Sequence, residues 1–209
     1  FPHMSAYYRS APQFINQISL VNGKKAGTDI NLYKLFTEQC FSLLRRDGLC
    51  GIVIPSGIYN DLGTKQLREM LFSQTAISGL FAFENRKTIF EGVDSRFKFV
   101  VLTYRKGGQT KRFPVAFMRH DVAELDHFPA NDSLVLSVDT IRKISPDSLS
   151  ITEVKDVIDV IISEKMLRFP LLGEDVPGKW SVRFSAEFHM TNDSDLFRTE
   201  PISGRLPLY

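Results

Sequence analysis

Apolar residues in the first half of the chain follow helical spacing and then extended spacing. From Ile30 to Arg46 they recur three or four positions apart, which places them on one face of a helix. Asp29 suits the N-cap of this helix, and Gly48 suits the residue just past its end. The helix should therefore turn one apolar stripe toward the core. This stripe consists of Leu32, Leu35, Phe36, Cys40, Leu43 and Leu44.

Three short apolar runs predict strands. Leu49–Ile54 is rich in β-branched residues and follows the first helix at once, which is typical of a strand buried on both faces. The other two runs are Ala76–Phe83 and Phe97–Tyr104, and the turn after the latter predicts a hairpin into a strand over 113–118. A helix over 61–73 should separate the first two strands and point inward Leu67, Met70 and Leu71.

The pattern changes near residue 120. Residues 120–150 mix short polar segments with turn residues, and 152–166 predicts an amphipathic helix. The stripe of this helix should hold Val154, Val157, Ile158 and Ile161, and Trp180–Phe184 reads as one more strand. We therefore predict two regions, 1–119 and 120–209.

Composition excludes several classes of protein. The 209 residues are 43% hydrophobic and 24% charged, as in ordinary globular domains, and the net charge of +2 makes any nucleic-acid surface a local one. Cys40 and Cys50 form no CxxC motif or Cys/His cluster, so they predict reduced thiols in a cytoplasmic protein and no metal site. No apolar run approaches the roughly 18 residues that would cross a membrane.

Basic residues concentrate in one stretch without acids, Arg96, Lys98, Arg105, Lys106, Lys111 and Arg112. Such a stretch could hold phosphates. It could equally be the solvated edge of a sheet, and Asp94 could pair with Arg96 and fix the preceding loop.

The order of several short motifs resembles a known family. NLYKLF, IVIPSG, FENRKTIF and VDSRFKFVVLTYR occur in this order, and EFHMTNDSDLFRT and RLPLY follow later. The chain resembles class I, S-adenosylmethionine-dependent DNA methyltransferases that modify adenine N6, nearest to the large single-chain type II, or BREX-like, restriction-modification methylases. The resemblance implies an α/β fold in which the last strands and helices of a Rossmann-like sheet, over 1–119, precede a mixed α+β segment that begins the target-recognition region. In that sheet the runs 49–54 and 76–83 should form a parallel pair, and 97–104 should be an antiparallel strand.

The resemblance also implies site residues and ligands. It places Phe36 near the adenine of the S-adenosylmethionine cofactor, although Phe36 could simply be core. It makes Phe90 the aromatic that stacks on the flipped adenine, although this ring could instead anchor its own loop. Phe97 is the alternative stacking residue, but its strand pattern favours the core. The implied partner is double-stranded DNA, and the six basic residues would contact its phosphates.

Two features of such enzymes are missing from the sequence. No glycine-rich turn that could bind the cofactor precedes Asp29, and no NPPY-type motif provides the acceptor for the target amine. We therefore expect no catalytic residue in this chain, which would be inactive alone and open to self-association through unpaired strand edges. The alternatives are a non-catalytic DNA-binding or partner-docking module, and a methyltransferase that acts on RNA or on protein glutamine.

Overall fold

The computed structural model describes residues 2–18, 20–21, 24–25, 30–130, 133–183, 193–198, 200 and 203–204. The chain divides into two compact units, Phe1–Phe169 and Pro170–Tyr209. The first unit contains the helices α1 (Pro2–Ser10), α2 (Leu32–Leu43), α3 (Gly57–Asn60), α4 (Lys65–Gln74), α5 (Val138–Ile144) and α6 (Val157–Met166). Its strands are β1 (Leu20–Val21), β2 (Lys24–Lys25), β3 (Leu49–Pro55), β4 (Thr75–Glu84), β5 (Lys98–Lys106), β6 (Arg112–Arg119) and β7 (Leu134–Ser137).

Five strands form one mixed sheet in the order β3-β5-β4-β6-β7, and β1 pairs with β2 separately. β5 is antiparallel to both β3 and β4, so these two strands run in the same direction but do not touch. The expected pair of adjacent parallel strands is therefore wrong in its pairing, because β5 lies between them. The α/β character is confirmed, with β6 parallel to β4 and β7 antiparallel to β6.

The predicted hairpin after β5 is also wrong, because β6 pairs with β4. The connecting segment is tied to the start of β4 instead of turning back on β5. Gly107 N donates to Gln74 O at 2.8 Å, and the buried Thr110 Oγ1 donates to Thr75 O at 2.7 Å. Thr110 Oγ1 also accepts from Ile77 N at 2.9 Å. These bonds carry the chain past the start of β4 to the side of β4 that β5 does not occupy.

Helix α2 turns part of its predicted apolar stripe outward, although Leu35 of the same stripe is buried. Phe36 is 61% exposed and Leu43 is 77% exposed, while polar Glu38 is buried. Glu38 Oε1 accepts from Asn16 N at 2.9 Å and from Asn16 Nδ2 at 2.7 Å, and its Oε2 accepts from Gln17 Nε2 at 2.6 Å. A buried carboxylate needs such partners, so the docking of residues 16–17 decides which face of the helix points inward.

The ends of α2 also differ from the prediction. Its N-cap is Asn31, whose side chain accepts from Tyr33 N at 3.3 Å, whereas Asp29 lies outside the described residues. The helix stops at Leu43, and in the turn that follows Asp47 adopts the left-handed conformation with φ of 64°. Gly48 donates its N–H to Arg45 O and therefore closes a turn beyond the helix.

Strand β3 is an edge strand with one open face. Leu49 is 75% exposed and Val53 is 53% exposed, whereas Ile54 is buried. The prediction of a strand buried on both faces is therefore wrong, because the face that carries Leu49 and Val53 is open. Among the described residues β3 also has no partner strand on its outer side.

Helix α4 packs on the sheet as predicted, with Leu67, Met70 and Leu71 buried. The neighbouring Arg68 is also buried, and its guanidinium donates to Ile58 O, Asp61 O and Ser148 O at 2.6–2.8 Å and to Thr64 Oγ1. Burial lowers the pKa of Arg68 to about 10, so it stays charged at neutral pH. This cation joins α3, α4 and the segment before residue 150.

Residues beyond 120 continue the first unit. β7 joins the sheet, and the core also includes Leu149, Ile151 and Val154. The functional division expected near residue 120 stays a prediction. In α6 the predicted stripe is wrong, because the helix begins after Val154 and leaves exposed Val157, Ile158 and Ile161.

The second unit has little regular structure among its described residues. Trp180 forms an isolated antiparallel bridge with Val176, and Ser194–Leu196 is a short 3-10 helix. The predicted strand at Trp180–Phe184 is wrong for the part that is described, and Phe184 lies outside it.

Candidate functional site

Three parallel strands end at one edge of the sheet, and the candidate site lies there. β3, β4 and β6 run in the same direction and end at Pro55, Glu84 and Arg119. In open α/β sheets the carboxyl ends of the strands form the usual ligand-binding edge. Here this carboxyl edge carries the loop over residues 85–97, which connects β4 to β5.

Phe90 lies in this loop with one side anchored and the other open. Its ring packs edge-on against Phe99, with centroids 4.8 Å apart and an interplanar angle of 75°. Phe99 in turn stacks on Phe83 with centroids 5.1 Å apart. Phe90 remains 44% exposed. The ring therefore anchors its loop and also presents an aromatic surface to solvent, so the two alternatives for this residue are compatible.

Phe97 is the second exposed ring of this loop. It lies one residue before β5 and is 44% exposed, so the expectation that it belongs to the core is wrong. Its carbonyl accepts from Asn85 N at 3.0 Å, which closes the loop at its base and leaves the side chain outside.

Asn85 holds the loop from within, and the sequence analysis missed it. Its side chain is buried, with Oδ1 accepting from Phe90 N at 2.8 Å. Its Nδ2 donates to Phe90 O and to Val93 O, each at 2.9 Å. The available signal was an amide residue placed directly after a strand and before a loop, a position where Asn commonly bonds nearby backbone.

A charged network flanks the loop. Glu84 accepts from Arg86 at 2.6 Å, contacts His120 Nε2 at 3.2 Å and lies 3.5 Å from Lys98 Nζ. The hydrogen bond from Arg86 lowers the pKa of the Glu84 carboxyl to about 2, and His120 and Lys98 act in the same direction. Lys98 Nζ also donates to Glu153 at 2.7 Å.

Glu153 closes this network from the far part of the chain. Tyr59 Oη donates to Glu153 Oε1 at 2.7 Å, and burial followed by this bond raises the pKa of Tyr59. No sequence pattern links Glu153 to Lys98 or Tyr59, because the contact depends on the path of residues 148–154 across α3.

The six predicted basic residues form two separate groups. Arg96 and Lys98 lie at the carboxyl edge, and Arg96 is paired with Asp94 at 2.8 Å. The other four lie at the opposite edge, where β5 ends and β6 begins. The stretch is therefore not one continuous surface, because the length of β5 lies between the groups.

The cations of the opposite edge differ in their partners. Arg105 pairs with Asp47. Lys106 Nζ donates to Phe41 O at 2.8 Å and to Leu44 O at 2.7 Å, so it caps the end of α2. Lys111 and Arg112 are exposed, and the described residues offer their side chains no hydrogen bond or ion pair.

Phe36 lies on α2, and the glycine of IVIPSG, Gly57, begins α3. Phe36 is exposed on α2, so its alternative role as core is excluded, and its predicted contact with the cofactor stays a prediction. Gly57 begins α3 next to Tyr33 Oη, which donates to Asp61 Oδ2 at 3.3 Å. A Cβ on Gly57 would overlap both of these oxygen atoms, which explains the glycine at this position.

The carboxyl edge therefore offers two exposed aromatic rings, Phe90 and Phe97, beside charges that neutralise one another. This arrangement suits stacking on a planar group better than capture of a free anion. Within the described ranges, no group of three or more His, Cys, Asp or Glu side chains could hold a metal ion. Over the same ranges, no helix is long and apolar enough to span a membrane.

Comparison with known proteins gives one family match and several similar folds. Residues 8–90 match the Eco57I restriction-modification methylase family. The fold resembles the M protein of the type I restriction enzyme EcoKI, with 15% identity, a TM-score of 0.50, and coverage of 71% of this chain and 43% of that protein. It also resembles a type I restriction-modification methyltransferase subunit from Streptococcus thermophilus, with 14% identity, a TM-score of 0.51, and coverage of 72% and 35%.

The family match covers residues 8–90, and the two structures are similar to this chain in fold. The chain spans less than half the length of either structure. No sequence among curated proteins matches the chain.

Proposed function

With residues 8–90 tied to the Eco57I methylases, we propose that the chain is the base-facing part of a DNA methyltransferase that modifies adenine N6. The observation that carries this proposal is Phe90, the last residue of the matched segment. It presents a half-exposed ring at the carboxyl edge of the sheet. The DNA substrate and the methyl donor follow from the family.

The physical reasoning starts from the substrate. The amino group of adenine is paired inside duplex DNA, so an enzyme that methylates it must rotate the base out of the stack. An aromatic surface then replaces part of the lost stacking, worth about 1–3 kcal/mol per base. The ring of Phe90 is already fixed by Phe99 and is open on its other side, as this role requires.

The residues present do not form a complete cofactor site. S-Adenosylmethionine would supply the methyl group, and this chain offers the exposed Phe36 ring as a contact for its adenine. The sequence contains no glycine-rich turn for the rest of the cofactor and no NPPY-type acceptor. We therefore place both features outside these residues, and we expect the chain alone neither to bind the cofactor tightly nor to transfer methyl groups.

The basic residues differ in how readily they could contact DNA phosphates, because some of them already form ion pairs or hydrogen bonds within the chain. Lys111 and Arg112 are exposed and available to a phosphate, while Arg96 would first have to leave Asp94. Lys98, Arg105 and Lys106 already bind acids or carbonyls of their own chain. DNA is the proposed partner, and the enzyme would act on it in the cytoplasm.

Product analysis tests the substrate class. The complete methyltransferase is incubated with labelled S-adenosylmethionine and with duplex DNA, RNA or protein, and the products are digested for mass spectrometry. We expect label in N6-methyladenine from duplex DNA. Label in RNA or in methylglutamine would contradict the proposal, and absence of transfer to every substrate would favour a non-catalytic DNA-binding or partner-docking module.

Calorimetry tests whether the main binding site for S-adenosylmethionine lies outside these residues. Titration of this chain with S-adenosylmethionine should show no tight binding. Submicromolar affinity would contradict the assignment of the donor site to residues outside the chain.

A further inference from the structure

We propose that Asn85 is a positioning residue that holds Phe90 ready to stack on the flipped base. The inference rests on the proposed function, because it assigns a cause to the orientation of Phe90. Asn85 is fully buried, so it cannot itself touch DNA, and any effect on the reaction must pass through the loop.

Asn85 binds the loop at its base and at its tip. Its main-chain N–H donates to Phe97 O at 3.0 Å, and its carbonyl accepts from Thr88 N at 2.9 Å. Its side chain bonds both the N–H and the carbonyl of Phe90, and also the carbonyl of Val93. The backbone of Phe90 is therefore held by two hydrogen bonds from one side chain.

The chemistry of the position requires an amide. One acceptor faces an N–H, and two donors face two carbonyl oxygens, which matches the inventory of an Asn side chain. An ionised aspartate would direct negative charge at both carbonyls. An apolar residue would remove the partners of the partly buried Phe90 N and Val93 O, and would leave Phe90 O with only the 3.4 Å bond from Val93 N, which is costly.

Besides the bonds to Asn85, the described residues give the backbone of Phe90 one longer hydrogen bond, from Val93 N to Phe90 O at 3.4 Å. Thr88 and Gly92 adopt left-handed conformations, with φ of 56° and 74°, so the bend itself is unfavourable for Thr88. The Phe90 ring has one edge-on aromatic contact, with Phe99. The amide thus preorganises the aromatic surface before DNA arrives, which avoids ordering the loop during binding.

A double-mutant cycle tests whether Asn85 acts through Phe90. Single-turnover methylation of duplex DNA is measured with the complete methyltransferase for Asn85→Ala, Phe90→Ala and the double variant. Each single variant should lose roughly 5- to 150-fold in rate. The double variant should be no slower than Phe90→Ala by more than about twofold, because the amide has nothing left to position.

The control separates positioning from general destabilisation. Val115→Ala removes buried volume from the main core, away from the loop, and should lower Tm while keeping the methylation rate. Additive losses in the double variant, or an Asn85→Ala variant as active as wild type beside an impaired Phe90→Ala, would overturn the inference. Full activity of Phe90→Ala would instead contradict the proposed function.

A conservative variant decides the matter if Asn85→Ala does not fold. Asn85→Asp keeps the acceptor for Phe90 N, and protonation of its buried carboxyl would restore one donor. Its rate relative to wild type should therefore rise as pH falls. A constant ratio across pH would overturn the inference.

Discussion

The ring of Phe90 stands on the ring of Phe99, edge to face, with centroids 4.8 Å apart. This contact joins the loop over residues 85–97 to β5, the strand inserted between β3 and β4. One aromatic ring is thereby fixed at the carboxyl edge while its outer side stays open. The predictions below concern the scaffold that holds this edge, the charges around it, and finally the ring itself.

Arg68 should be a major contributor to stability. Arg68→Met retains the length of the side chain but removes the charged hydrogen bonds to the carbonyls of Ile58, Asp61 and Ser148. We expect a loss of about 3 kcal/mol in the free energy of unfolding, measured by urea denaturation of this chain.

Arg142→Met provides the matched control. Arg142 forms two 2.7 Å bonds with Glu69, but both side chains are about 40% exposed. An exposed ion pair of this kind contributes less than about 1 kcal/mol. Equal losses for the two variants would contradict the structural role of Arg68.

Glu84 should make stability depend on pH in the acid range. Its folded-state pKa of about 2 lies below the ordinary 4.5, so its contribution is complete above pH 4.5 and disappears as pH falls toward 2. At pH 7, Glu84→Gln should lower the free energy of unfolding by about 1 kcal/mol, after allowance for solvent screening.

The difference between wild type and Glu84→Gln should shrink as pH falls from 4.5 to 2, as followed by thermal unfolding. Glu91→Gln, which changes an exposed carboxylate of the same loop, is the control and should show little difference at any pH. A Glu84→Gln difference that persists at pH 2 would show that Arg86, His120 and Lys98 do not stabilise the ionised carboxylate.

Lys111 and Arg112 should carry more of the DNA affinity than Arg105. Replacement of both by Gln removes two exposed cations. It should weaken the binding of duplex DNA by a similar factor for every sequence, and the slope of log K against log salt concentration should become shallower by about two. Fluorescence anisotropy at several salt concentrations measures both effects. Arg105→Gln is the control, because Arg105 is already paired with Asp47. An equal loss of DNA affinity in this variant would contradict the claim that Lys111 and Arg112 contribute more than Arg105.

Sequence patterns predicted where the strands lie better than they predicted which strands pair with each other. The runs that became β3, β4 and β5 were located closely, because buried strands are short and apolar. Their pairing was not predicted, because the hydrogen bonds of Thr110 and those to the end of α4 place β6 beside β4. The order of strands depends on such contacts between distant residues, which periodicity does not contain.

The sequence pattern also failed to predict which face of α2 points toward the core. The apolar stripe of Phe36 and Leu43 predicts the inward side, yet the carboxylate of Glu38 and its bonds to Asn16 and Gln17 turn it outward. At the candidate site, the resemblance located Phe90, but not Asn85, Glu84 or Glu153. Those side chains act through loop backbone or through residues far along the chain.

The most direct test of the account is methylation by the complete enzyme with Phe90→Ala. Removal of the ring takes away stacking worth about 1–3 kcal/mol, so single-turnover methylation of duplex DNA should slow by roughly 5- to 150-fold. The Tm should change little, since Phe90 is half exposed and has one aromatic partner. A variant with wild-type methylation, or one whose activity falls only in step with its Tm, would contradict the assignment of Phe90 to the flipped adenine.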